Sequence, residues 1–218
     1  MKIAKSELSP KLLEELQALE LLPDEGIDLS DVPEVSDWRA AVRGAFMPPL
    51  ERREYDVRGL ANWCLQRAQQ VGKALSNLSL NKLVYFLVER ALVEKRILLT
   101  SAKIEAWDHG PVFREIYHSL KNFGDKPIKA PLQSYCVANR GLVRAEQLLK
   151  GEDETFLTSV LNDYLEFSPS QLRQMSHIPG GAWDLVWHHK SRTNYGMEIP
   201  PALILSRAPT ERASNERG

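Results

Sequence analysis

The sequence predicts an α+β fold, predominantly helical: a compact multi-helix domain with a small antiparallel sheet, preceded by an N-terminal helix and an extended arm. Three observations carry this. Apolar residues recur at i, i+3, i+4 in segment after segment from Val57 onward. One of these segments, Leu80–Lys95, is apolar on more than one face, as a helix at the centre of a domain is. Lys103–Trp107 alternates charged and apolar residues and fits a short half-buried strand.

Taken in order, Ser9-Pro10 opens a helix over Lys11–Leu22, because Ser caps and Pro suits the first helical turn. Leu12, Leu13, Leu16 and Leu19 share one face, and Pro23 ends the segment. Asp24–Pro49 is punctuated by Gly26, Pro33, Gly44, Pro48 and Pro49 and reads as an extended linker that grips a surface through Val35, Trp38, Val42 and Phe46. The compact body starts near Asp56, with Val57, Leu60, Ala61, Cys64, Leu65 and Ala68 on the buried face and Gly72 as the stop. Ser79 is expected to cap the central helix. Gly110-Pro111 is read as a strand-to-helix corner, with Pro111 at the first helical position and a buried stripe of Val112, Ile116 and Leu120. A strand is expected around Ser134–Val137, and helices over Asp153–Phe167, from Ser168-Pro169 to Ser176, and after Gly180-Gly181 through Trp183, Leu185, Val186 and Trp187. Pro200-Pro201 leads a last apolar piece, Ala202–Leu205, and the polar stretch from Arg207 to Gly218 is expected to fray.

Composition narrows the function. A 218-residue chain with 43% hydrophobic and 26% charged residues holds one well-filled domain with an appendage, or two small ones. No apolar run approaches the ~18–20 residues that span a bilayer. The N-terminus has no apolar signal-peptide core, and two isolated cysteines, Cys64 and Cys136, suit a reducing compartment, so a cytoplasmic location is expected. The net charge of −1 conceals an asymmetry: residues 1–37 hold three basic groups against ten acidic ones, leaving −7, and the remainder carries +6. Such an acidic arm folds back on a basic body or engages a basic partner. The six excess cations are spread thinly, without the interleaved aromatics of a nucleic-acid site, so nucleic acid is not an expected partner.

A search for chemistry returns little. Among the five histidines no pair sits at i, i+4 with a carboxylate nearby, and there is no Cys-x-x-Cys, so no metal site is assigned. There is no Gly-x-Ser-x-Gly elbow and no phosphate-binding loop ending in Lys-Ser/Thr. Cys64 falls on an apolar stripe, where a thiol is ordinarily inert packing. No catalytic residue and no cofactor is assigned. Two constellations stand out, Trp107-Asp108-His109-Gly110-Pro111-Val112 and Met175-Ser176-His177-Ile178-Pro179-Gly180-Gly181-Ala182-Trp183. In the first, Asp108 is placed to accept hydrogen bonds at a helix start. In the second, His177 ends a helix, where the dipole favours its charged form, and Trp183 packs beside it. The structural role outweighs a catalytic one at both.

Those constellations, together with Asn81-Lys82-Leu83-Val84-Tyr85-Phe86, Ile116-Tyr117, and Asp56-Val57…Leu60-Ala61-Asn62-Trp63, resemble the Panacea domain of bacterial and phage antitoxins. The resemblance divides the chain into an acidic N-terminal helix and linker arm (residues 1–55), a Panacea-like domain (56–205) and a polar tail (206–218). It implies a helical domain that binds and neutralises a cognate protein toxin, usually encoded by the adjacent gene. Some relatives hand a toxin to protease machinery, and antitoxins are often DNA-binding autoregulators, so both stand as alternatives; a cryptic enzyme ranks below them. The family motif residues in this chain are Asn81, Lys82, Tyr85, Trp107, Gly110, Pro111, His177 and Trp183. The chain departs from the pattern at His109, where an aromatic residue is expected before Gly-Pro. Short segments of the arm also resemble other antitoxin chains, and Val35, Trp38, Arg43 and Phe46 are its candidate toxin-binding residues, since interface energy concentrates in aromatic and arginine anchors.

Overall fold

The computed structural model describes residues 49–189 and 196–207, together with Lys11. The chain divides into two units, residues 1–47 and 48–218, and every element named below belongs to the second. The expected helix over Lys11–Leu22, the arm with Val35, Trp38, Arg43 and Phe46, and the tail beyond Arg207 lie outside the described residues.

The fold is α+β and predominantly helical. Strand β1 (Glu51–Arg52) comes first and lies parallel to β2 (Ile97–Leu98), so the body takes in residues ahead of Asp56. The buried Arg53 and Tyr55 side chains, just beyond β1, both reach Asp153. Helix α1 (Val57–Gln70) is capped by the Asp56 carboxylate, which accepts from the Arg58 N–H at 2.9 Å. Gly72, at φ +72, closes it.

Helix α2 (Asn77–Lys95) starts three residues before the expected point. Ser76, not Ser79, is the cap, its hydroxyl accepting from the Ser79 N–H. The helix is the axis of the fold: α1 and the later helices pack around it, and Leu80, Leu83, Val84, Phe86, Leu87, Val88 and Leu92 are buried on several sides. Arg96, in the left-handed conformation at φ 58, ends it and turns the chain into β2.

Strand β3 (Ile104–Trp107) forms a hairpin with β4 (Gly110–Phe113), with Trp107 opposite Gly110. Here the structure corrects the expected strand-to-helix corner. Pro111 is a strand residue and Asp108 lies in the exposed hairpin loop, beside His109. Helix α3 (Arg114–Leu120) begins only after Phe113. The physical reason is position: β4 is an edge strand of the order β4-β3-β7, where a proline's missing N–H costs no ladder bond. Neither Asp108 nor His109 has positive φ; Gly110, which closes the tight turn, does, at +97, a conformation that favours glycine. A 3-10 turn (Lys121–Phe123) follows α3.

Strands β5 (Gln133–Cys136) and β6 (Gly141–Arg144) form a second antiparallel hairpin; β6 was not expected from the sequence. Then come α4 (Gly151–Leu165), α5 (Pro169–Ser176) and α6 (Ala182–Trp187), followed by β7 (Met197–Glu198), which pairs with β3, and α7 (Pro201–Arg207). Helix α5 has a full capping box: the Ser168 hydroxyl accepts from the Gln171 N–H, and the Gln171 side chain accepts from the Ser168 N–H. No helix among the described residues is long and apolar enough to cross a membrane.

Candidate functional site

The two constellations meet in space, and the point of meeting is Gly110. A Cβ at this position would lie 2.6 Å from Lys82 Nζ, 2.6 Å from Ser176 Oγ and 2.9 Å from His177 Nε2. Three polar groups from α2 and the end of α5 therefore close on the bare backbone of the β3–β4 hairpin. Lys82 projects from α2 fully buried, and its ammonium donates to the Pro111 carbonyl at 2.7 Å. Burial, and secondarily the Arg173 charge, lower its pKa well below that of an ordinary lysine. One helical position earlier, Asn81 Oδ1 accepts from the Phe113 N–H at 3.0 Å while its amide donates to Asn77 Oδ1 at 2.9 Å. Adjacent residues of α2 thus hold β4 by a carbonyl and by an N–H.

The other side of the knot is aromatic. His177 stacks on Trp183 with ring centroids 3.7 Å apart and planes inclined by 8°. Trp183 Nε1 donates to the Trp107 carbonyl at 2.9 Å, tying α6 to the end of β3. Trp107 packs edge-on against Tyr117 of α3, and its indole N–H donates to Glu105 at 2.9 Å. Glu105 also receives Arg114, the first residue of α3. Tyr85 lies beside the knot, donating to Glu89 at 2.9 Å and lining, with Ser176 and Trp183, a cavity of about 210 Å³.

His177 overturns one expectation. The dipole at the end of α5 favours an imidazolium, yet burial, the Lys82 charge and the Arg173 charge push its pKa down to about 4. The ring is neutral at physiological pH, and its Nε2 is buried without a hydrogen-bond partner. Two neighbouring cations and a half-buried site outweigh one helix end.

Chemically, the knot has the residue types of a reactive centre: a lysine of lowered pKa, a neutral imidazole and a serine hydroxyl. Its geometry differs from one. Lys82 is sealed, and the Ser176 hydroxyl donates to the Arg173 carbonyl at 2.7 Å rather than to His177. Cys64 is fully buried and its thiol is pushed up by burial, so it is not a thiolate at neutral pH. Among the described residues no group of three or more His, Cys, Asp or Glu side chains is placed to hold a metal ion.

Two further polar clasps were not singled out from the sequence. Asn62 of α1 is buried; its amide donates to the Leu132 and Ala145 carbonyls (2.8 and 2.7 Å) and its Oδ1 accepts from the Leu132 N–H at 2.8 Å. It closes the base of the β5–β6 hairpin. Arg53 donates to Asp153 at 2.7 Å, with both side chains 3% exposed, and pins β1 to the first turn of α4. Burial alone would raise the Asp153 pKa; the hydrogen bonds from Arg53 and Tyr55 outweigh it and hold the carboxyl below its usual range.

The family described as antitoxin SocA-like, Panacea domain, matches residues 80–184, a span that contains all eight motif residues from Asn81 to Trp183. Antitoxin SocA of Caulobacter vibrioides (strain NA1000 / CB15N) is 33% identical over 160 residues, covering 70% of this chain and 82% of that protein. No solved structure matches the chain. The residues of the Lys82–Gly110–His177–Trp183 knot all fall within the matched span, and the chain belongs to the SocA-like, Panacea-domain family of antitoxins.

Proposed function

We propose that this protein neutralises a cognate protein toxin by direct binding, as the antitoxin of a type II toxin–antitoxin pair, with the toxin encoded by the adjacent gene. The observation that carries this is the match to an antitoxin along most of both chains. The knot supports it as a scaffold: it spends its polar groups on joining a hairpin to three helices and leaves its lysine sealed from substrate. Silencing then comes from covering the toxin's working surface, for which an interface of ~800 Å² per partner suffices. The protein works without catalysis, cofactor or metal, and in the cytoplasm.

One contact is assigned to the acidic arm, where Val35, Trp38, Arg43 and Phe46 enter a basic cleft of the toxin. The test is co-expression. The neighbouring open reading frame is induced in a host with and without the full chain, and with a chain lacking residues 1–47. Growth arrest by the neighbour, relieved by the full chain, supports the antitoxin reading; absence of arrest or of relief overturns it. Undiminished relief by the truncated chain overturns the arm's role alone.

A further inference from the structure

The β5–β6 hairpin gathers three exposed apolar side chains in one place. Tyr135 and Leu142 face each other across the strands and are 63% and 65% exposed, and Val137 beside them is 80% exposed. Single exposed apolar residues are ordinary; a cross-strand pair with a third neighbour is a patch. The same face carries Arg144, paired with Gln133 two residues along the ladder. From Lys126 to Ala145 the chain holds four cations, Lys126, Lys129, Arg140 and Arg144, and no acid. All four are exposed. At the base of the hairpin lies a groove of about 630 Å³ between α1 and residues 128–131, lined in part by Gln66, Gln69, Lys129 and Arg144 and by no carboxylate. Arg144 belongs to both, so patch and groove are continuous.

The hairpin is also held firmly. Asn62 bonds main-chain atoms at both of its ends, and the Ala145 N–H donates to the Leu132 carbonyl at 3.0 Å. A preorganised surface loses little conformational entropy on binding. Among the described residues the hydrophobic core closes without Tyr135, Val137 or Leu142.

From this we infer that the β5–β6 hairpin and the groove at its base dock an acidic segment of the partner protein that carries apolar side chains. The inference rests on the proposed antitoxin function for the partner's identity. Charge selects the occupant. A second copy of the hairpin would set cations against cations, whereas an acidic segment is drawn to them and its apolar residues cover Tyr135 and Leu142. A nucleic acid would satisfy the arginines but leave Val137 and Leu142 against phosphate.

Two probes separate this inference from the functional reading. The first is the purified product of the adjacent gene, titrated calorimetrically into the full chain. Tyr135→Ser/Leu142→Ser and Arg140→Glu/Arg144→Glu are each expected to weaken binding by about thirtyfold or more, with unchanged melting curves because all four residues are exposed. Wild-type affinity in both variants overturns the docking surface and leaves the antitoxin reading intact. The second probe is a synthetic peptide of glutamate and leucine, added to the isotope-labelled full chain. Resonance shifts confined to residues 128–145, absent in Arg140→Glu/Arg144→Glu, support the surface even if the neighbour's product does not bind, in which case the functional reading alone fails. No shift there overturns the surface. So does a wild-type dimer in sedimentation that Tyr135→Ser/Leu142→Ser dissolves, or retardation of duplex DNA that the arginine variant abolishes.

Discussion

His177 lies flat on Trp183, with ring centroids 3.7 Å apart, and Trp183 in turn stacks on Trp187 at 5.8 Å. The imidazole is neutral in this stack, with a folded-state pKa of about 4 against an ordinary value of 6.5. Between those values the unfolded chain binds a proton that the folded chain refuses. Stability from this group is therefore complete above pH 6.5 and is lost as pH falls toward 4. The loss is on the order of 2 kcal/mol, less than the bare shift implies because the ring is only half-buried. Melting temperatures recorded from pH 7 to pH 4 are expected to drop, and His177→Phe, which keeps the stack, is expected to flatten that limb. An identical pH profile in the variant refutes the assignment.

Gly110→Ala should be among the most damaging single-methyl changes in the chain. Its Cβ meets Lys82 Nζ and Ser176 Oγ at 2.6 Å, and its φ of +97 is strained for any residue with a side chain. Overpacking and strain together are expected to cost about 3 kcal/mol or more, read from chemical denaturation. A loss below about 1 kcal/mol would show that the knot is looser than it stands here.

Asp153→Ala removes the carboxylate that receives both Arg53 and Tyr55. It leaves a guanidinium buried with only the exposed-side Glu51 and Glu152 to meet it. Breaking a buried pair from one side typically costs about 3–5 kcal/mol, and that is the expected loss. In the wild type, the depressed Asp153 pKa stabilises the fold above the ordinary carboxylate range. That contribution fades as pH falls through the range and below it. Asp153→Ala should therefore narrow its gap to the wild type in acid.

Asn62→Leu is expected to act locally. It deprives the Leu132 and Ala145 carbonyls of a donor and the Leu132 N–H of an acceptor. A cost of about 1–3 kcal/mol follows, and amide exchange should speed up across residues 132–145 while α2 keeps its protection. Uniform acceleration through the whole domain would contradict a local clasp.

How much of this was legible in the sequence depends on range. Ser168-Pro169 announced its helix because a capping hydroxyl and a first-turn proline are adjacent in the chain. The central helix was visible because a helix buried on several sides has no polar face to hide it. Gly110-Pro111 misled, since proline suits a first helical turn and an edge strand equally, and only the pairing with β3 decides between them. Asn62 meets residues 70 and 83 positions away, and Arg53 meets Asp153 across 100 positions. In a chain with 28 cations and 29 anions, nothing local marks that one pair for burial. The knot was foreshadowed as motifs but not as a junction: that Lys82 and His177 share one glycine is a fact of three dimensions.

The Asn62 clasp touches only main-chain atoms, and every residue has those. The loop between Leu132 and Ala145 can therefore change length, composition or charge without the body noticing, as long as it leaves and re-enters at the same two points. A fold fastened in this way keeps an interchangeable fitting on a permanent frame. Exchanging that segment between related chains should then leave the interior as it is.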